Sequence, residues 1–306
     1  MNKAIVTGAN GFVGSHVCKD LCNEGIKVYA IIKDENENID NIKDLDNIEI
    51  IYCDLNSITT LPDKILDRDI DVFYHFAWIG VSSNLRCDEN IQAQNALWTA
   101  EALRTADKMK CKKFVNAGSI MEKETYLAVC TQGSEPSAGY IYGAGKLFAR
   151  AICKPIASTL DIDLCWAVIT NTFGVGEFSS RFINSTIRKI IAGEPLQFTA
   201  ATQNYDFIYI DDVAKAFVAI GKYGKPNKEY TIGSGNARPL KEFIVELLQT
   251  LAPDAIPLFG DVPFTGVNIP LEAFDTTDTE TDCHFKPSMS FVDGIKITMD
   301  WLKSLN

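Results

Sequence analysis

Six apolar runs of strand length dominate the first half of the chain: Lys3 to Thr7, Val28 to Ile32, Ile48 to Tyr52, Val72 to Phe76, Lys113 to Ala117 and Leu164 to Thr170. Stretches with helical spacing separate them, among them His16 to Asn23 and Ala93 to Met109. Strands buried on both faces and joined by helices pair in parallel, so the order predicts an α/β fold built on a doubly wound parallel sheet. From Phe173 the regularity falls, with Gly174, Gly176, Gly193-Glu194-Pro195 and a polar stretch from Thr202 to Asn204. A smaller subdomain is expected there. The strand Phe207 to Ile210, the helix from Val213 capped by Asp211 and Asp212, and the strand Tyr230-Thr231-Ile232 return the chain to the first domain. The expected division is 1–170 with 205–235 in the first domain, and 171–204 with 236–306 in the smaller one. Asp34 to Asp46 is polar and acidic, as a mobile loop would be.

Between the first strand and the first helix stands Gly8-Ala9-Asn10-Gly11-Phe12-Val13-Gly14. Glycines at this spacing let the backbone turn tightly, let a pyrophosphate approach the helix N-terminus and let the helix pack on the strand. The sheet is therefore of the Rossmann type, and Gly8, Asn10, Gly11, Phe12, Val13 and Gly14 are expected to hold an NAD(P) cofactor. The second strand ends Ile32-Lys33-Asp34. A basic side chain at this point can hold a 2′-phosphate, whereas an acidic one binds the ribose 2′-hydroxyl. Lys33 leans the site towards NADP; Asp34, one step further, would favour NAD.

Composition excludes several classes. With 306 residues the chain can bury a large core, and its 46% hydrophobic and 23% charged content is ordinary for a globular protein. A net charge of −11 disfavours nucleic acid and acidic membranes, both polyanions. No apolar run is long enough to span a bilayer, and no leader precedes the first strand, so a cytoplasmic location is expected. The nine cysteines lack disulfide or zinc spacing, which points to reduced thiols and no metal. Cys18 and Cys22 would share a helix face, but without nearby histidines they read as packing.

Tyr142-Gly143-Ala144-Gly145-Lys146 puts a phenol and an ammonium on one helix face. A neighbouring cation favours phenolate, lowering the phenol from about 10 towards working pH and making it a usable acid/base for an alcohol or carbonyl oxygen. Ser119, after the fifth strand, is placed to hydrogen-bond the same oxygen. Tyr140 has no lysine four residues on and is passed over. Ser119, Tyr142 and Lys146 are the expected catalytic group.

With the glycine turn upstream, this pattern resembles the extended short-chain dehydrogenase/reductase family, which contains nucleotide-sugar epimerases, dehydratases and reductases. The likeness extends over nearly the whole chain. It includes Asp54-Leu55, His75-Phe76-Ala77, Asn95, Asn171 before Phe173-Gly174, Asp206 to Ala214, and Tyr230 to Gly233. The resemblance implies that Asp54 and Leu55 contact adenine and that Phe76 and Ala77 lie by the nicotinamide ribose. It also implies that Asn95 belongs to the cofactor site and that Lys146 binds the ribose. Residues after Asn171 would form a lid over a nucleotide sugar. Homodimers built on helices beside the catalytic one would be familiar in such a family. Taken alone, each position also has a structural explanation: Asp54 as a turn cap, Asn95 as a satisfied helix residue, His75 as a buried strand residue with no catalytic role. Trp78 is either a wall of the substrate pocket or core.

Two departures bear on the reaction. Dehydratases of the family carry an acidic pair directly after the catalytic serine or threonine, where this chain has Ile120 and Met121, with Glu122 one place late. That favours a 4-ketoreductase or epimerase over a 4,6-dehydratase, and Tyr74 to Gly80 is similar to the corresponding segment of some 4-ketoreductases of deoxysugar pathways. The second departure is Tyr205 and Val168, which stand where arginines commonly pair with substrate phosphates. Arg181 or Arg188 would have to substitute. A non-catalytic NAD(P)-sensing regulator is the remaining alternative, although such a protein has little need for both Tyr142 and Lys146.

Overall fold

The computed structural model describes residues 1–82, 84–131 and 136–305. Seven parallel strands form the central sheet: β1 (Lys3–Thr7), β2 (Lys27–Ile32), β3 (Ile48–Tyr52), β4 (Val72–His75), β5 (Lys113–Ser119), β6 (Asp163–Ile169) and, after four short strands, β11 (Lys228–Ile232). Their order is β11-β6-β5-β4-β1-β2-β3. The short strands pair off outside this sheet. β7 (Asn171–Phe173) runs beside β10 (Phe207–Tyr209), β9 (Asn204–Tyr205) beside β12 (Arg238–Pro239), and β8 (Gln197–Phe198) beside β13 (Leu258–Phe259).

Period-two alternation feeds two cores. Ala4, Val6, Val28, Ala30 and Ile32 face one way, onto α1 (Phe12–Asn23) and α7 (Ile210–Tyr223), through Val17, Leu21, Val213 and Phe217. Ile5, Tyr29, Ile31, Phe73 and Phe114 face the other way, onto α3 (Glu89–Lys108) and α5 (Ile141–Ala157). Those two helices pack closely against each other. The remaining helices are α2 (Leu61–Lys64), α4 (Met121–Cys130), α6 (Phe182–Ala192), α8 (Leu240–Leu251), α9 (Thr277–Cys283) and α10 (Phe291–Ser304). Among the described residues no helix is long and apolar enough to cross a membrane.

Three local differences from the sequence reading have simple causes. Asp88 caps α3 by accepting from the Asn90 and Ile91 N–H groups, both at 3.0 Å, so the helix starts four residues before its apolar stripe does. β5 continues to Ser119 because its pairing with β6 runs on to Ile169. The segment Asp34 to Asp46 is tied down: Ile42 is buried in the core, and Asn41 Nδ2 donates to the Asn10 carbonyl at 2.9 Å. Cys18 and Cys22 are buried side by side on α1, as packing residues.

Candidate active site

The strand order reverses between β1 and β4, and at such a point the loops leaving adjacent strands diverge and open a crevice at their C-terminal ends. Gly8 leaves β1 with φ +64°, a conformation an L side chain rarely adopts, and a Cβ there would sit 2.8 Å from the Ala77 nitrogen. A Cβ on Gly14 would run into the Gly8 carbonyl. The turn is closed by the Gly11 N–H donating to that same carbonyl at 3.0 Å, and α1 begins immediately afterwards. Gly8, Asn10, Gly11, Phe12, Val13 and Gly14 thus line one wall of a cavity of about 330 Å³, with Phe76, Ala77, Trp78 and Lys146 on the other walls.

A second cavity of about 330 Å³ adjoins the first. Asn171, Asn184, Tyr205, Arg86, Ile120 and Met121 contribute to its lining. Ser119, Tyr142, Thr172, Glu177 and Arg181 line both cavities, so two of the three expected catalytic residues, Ser119 and Tyr142, stand where the two spaces meet, while Lys146 lines only the first. Helical periodicity brings Tyr142 and Lys146 to the first cavity: the buried stripe of α5 runs Tyr142, Lys146, Ala149, Cys153, Ala157. Ser119 arrives as the last residue of β5.

Most of the other predicted residues lie elsewhere. Lys33 is exposed at the end of β2, 3.8 Å from the Asp34 carboxylate. Asp54 caps the short turn Leu55–Thr60 by accepting from the Asn56 N–H at 2.8 Å, and neither it nor Leu55 lines the cavities. Asn95 is buried and satisfied by one neighbour, accepting from the Ile79 N–H at 2.9 Å and donating to the Ile79 carbonyl at 2.8 Å. Its role here is to hold the loop after β4. Arg181 lies 3.6 Å from Glu177; Arg188 is exposed and donates to Asn184 Oδ1, outside both cavities. His75 is fully buried, 2.8 Å from the Thr7 hydroxyl, and burial pushes its imidazole down to about 3, so it stays neutral.

The electrostatics differ from the sequence reading at one point. Lys146 Nζ does not face the phenol closely: it lies 5.9 Å from the Tyr142 ring centroid, 3.6 Å from that of Trp78, and donates to the Ala117 carbonyl at 2.9 Å. Burial lowers its pKa, with the Glu122 carboxylate opposing. Burial also raises the pKa of Tyr142. The influences that ease ionisation of the phenol are Arg181, Arg86 and the Ser119 hydroxyl, while Glu122 resists it. The expected cation is present, but guanidinium groups supply it.

Sequence reasoning missed Arg86, Glu177 and Gln92. Gln92 accepts from the Trp78 indole N–H at 2.7 Å and donates to the Leu85 carbonyl at 2.9 Å, fixing the loop between β4 and α3. No spacing rule links these positions to the phenol.

The model of the NAD dependent epimerase/dehydratase family matches residues 4–233. The chain belongs to that family. It is an enzyme of the extended short-chain dehydrogenase/reductase type. CDP-abequose synthase of Salmonella typhimurium is 28% identical over 262 residues, covering 83% of each chain. The dTDP-6-deoxy-L-talose 4-dehydrogenase (NAD(+)) of Aggregatibacter actinomycetemcomitans is 26% identical over 216 residues, 69% of this chain and 76% of that one. Among solved structures, UDP-glucuronic acid 4-epimerase from Bacillus cereus, in complex with UDP-glucuronic acid and NAD, superposes with a TM-score of 0.79. Identity there is 24%, covering 99% of this chain and all of that one, and the likeness is one of fold.

Proposed function

We propose that this family member is a 4-ketoreductase or epimerase of nucleotide sugars, with Tyr142 as general acid/base. The observation that carries the reading is the position of Ser119 and Tyr142 at the seam of two cavities, one of them lined by the glycine turn. That turn fits a dinucleotide: glycine at 8 and 14 lets the backbone close tightly against Ala77 and the Gly8 carbonyl, just ahead of the α1 N-terminus that would face a pyrophosphate. When bound, the nicotinamide supplies or accepts the hydride. The protein's own part is proton management. Tyr142 passes a proton to or from the sugar oxygen, Ser119 hydrogen-bonds that oxygen as its charge changes, and Lys146, anchored on Ala117, holds the nicotinamide ribose.

Reduction or epimerisation is favoured over dehydration because apolar Ile120 and Met121 line the cavity beside Ser119, where neither can transfer a proton. The relative named as a sugar 4-dehydrogenase supports 4-ketoreduction in particular. Lys33 supports NADP, tempered by Asp34 at its side. Arg181, which lines the second cavity, supports contact with a substrate phosphate there. Exposed Leu97 on α3 and Phe148 on α5 support a homodimer that would cover them.

A panel of nucleotide sugars and their 4-keto derivatives, assayed with NADPH and with NADH, tests the proposal. A reductase consumes reduced cofactor stoichiometrically and an epimerase interconverts substrates without net consumption. Dinucleotide binding with no turnover across the panel would instead support a sensing role.

A further inference from the structure

We propose that Arg86 is a positioning residue for proton transfer: its guanidinium, laid over the ring of Tyr142, orients the phenol and favours its phenolate. This inference rests on reading Tyr142 as the acid/base.

The guanidinium carbon lies 4.2 Å from the centroid of the Tyr142 ring, within the range of a cation–π contact. The geometry is built rather than incidental. Arg86 comes from the short helical turn Asn84–Cys87 between β4 and α3, and its Nη1 donates to the Val81 carbonyl at 2.8 Å, bracing the side chain across its own loop. Gln92 pins the same loop by donating to the Leu85 carbonyl, one residue before Arg86. Arginine ion pairs among the described residues are made by Arg150, Arg181 and Arg238; Arg86 is not one of them. Its charge is therefore presented to the ring and to the cavity, with the Glu124 carboxylate of α4 the acid that also feels it.

A guanidinium over a neutral phenol meets only the ring quadrupole, but over a phenolate it meets a full negative charge, so the contact strengthens on ionisation. Every element around Tyr142 contributes a polar or charged group. Lys146 comes from its own helix, Trp78 and Arg86 from the β4–α3 loop, Ser119 and Glu122 from β5 and the start of α4, and Arg181 from the lid. Glu122 opposes phenolate, and Lys146 is the more distant cation, engaged with Trp78 and Ala117. Burial disfavours the charged form of both side chains, but a guanidinium starts high enough to keep its charge throughout the working range. Arg181 is half-exposed and shared with Glu177. Arg86 is the cation fixed directly on the ring.

The test needs no substrate. Ionisation of Tyr142 is isolated by titrating phenolate absorbance in the native protein and in Tyr142→Phe and taking the difference. The same difference is then measured in an Arg86→Gln background. The expected result is an apparent pKa for Tyr142 higher by about one unit in Arg86→Gln, with Arg86→Lys lying between, as loss of an adjacent opposite charge requires. Arg86→Met provides the same reading should glutamine disturb the loop. Coincident titration curves with and without Arg86, in folded protein, overturn the proposal. Turnover by Tyr142→Phe reports separately on the acid/base role: lost turnover with an unmoved titration removes Arg86 alone, whereas retained turnover removes the acid/base reading itself.

Discussion

The backbone N–H of Ser119 donates to the carboxylate of Glu122 at 2.8 Å, beside the seam of the two cavities. Glu122 is 1% exposed and also accepts from the Trp166 indole N–H at 3.0 Å, with Arg150 3.7 Å away. An acid one place late in the sequence thus supports the serine instead of facing the substrate. Glu122→Ala would leave the amide and the indole without partners in a dry interior, at about 1–3 kcal/mol for each donor. The expected loss in urea denaturation is about 2–6 kcal/mol, with Glu122→Gln losing less because it keeps an acceptor. A change in stability too small to resolve would show that the carboxylate is not holding this corner.

The glycine turn gives a binding prediction. Gly8→Ala places a Cβ 2.8 Å from the Ala77 nitrogen, at a φ of +64° that alanine rarely adopts. The turn must shift, and the expected outcome is dinucleotide affinity weakened about tenfold or more, equivalent to roughly 1.4 kcal/mol. Quenching of tryptophan fluorescence by NADPH and NADH measures it. Unaltered affinity would mean that the dinucleotide does not approach this backbone.

His75 makes stability depend on acidity. Its imidazole has the ordinary value of 6.5 in the unfolded chain and is pushed down to about 3 when folded, through burial first and then the charge of Lys146. Between those values the unfolded state binds a proton that the native state refuses. The contribution is therefore fully present above the unfolded value and is lost as pH falls towards the folded one, at about 1.4 kcal/mol per pH unit. Denaturation midpoints measured from about pH 7 down to about pH 4 should fall more steeply in the native protein than in His75→Gln. Parallel profiles would contradict a buried neutral imidazole.

Much of the architecture was legible because it is written in local patterns. β1 and β3 have the boundaries expected from their apolar runs, and the glycine turn lies where its spacing puts it, since both depend on neighbours in sequence. The stripe from Tyr142 to Ala157 is equally local. Contacts made across the fold left no such trace. Arg86 reaches Tyr142 from another loop, Asn95 turns to Ile79, and Lys146 swings towards Trp78 and Ala117, each decided by packing in three dimensions. Ile42 was hidden for a related reason, one apolar side chain in a polar segment being enough to anchor it.

Tyr142→Phe tests the central claim most directly, because it removes one hydroxyl while keeping the ring against Trp78 and Arg86. With a nucleotide sugar found active in the panel, turnover is expected to fall by about 10²- to 10⁴-fold, the usual contribution of a positioned acid/base, while dinucleotide affinity is unchanged. Turnover equal to that of the native enzyme would contradict the account.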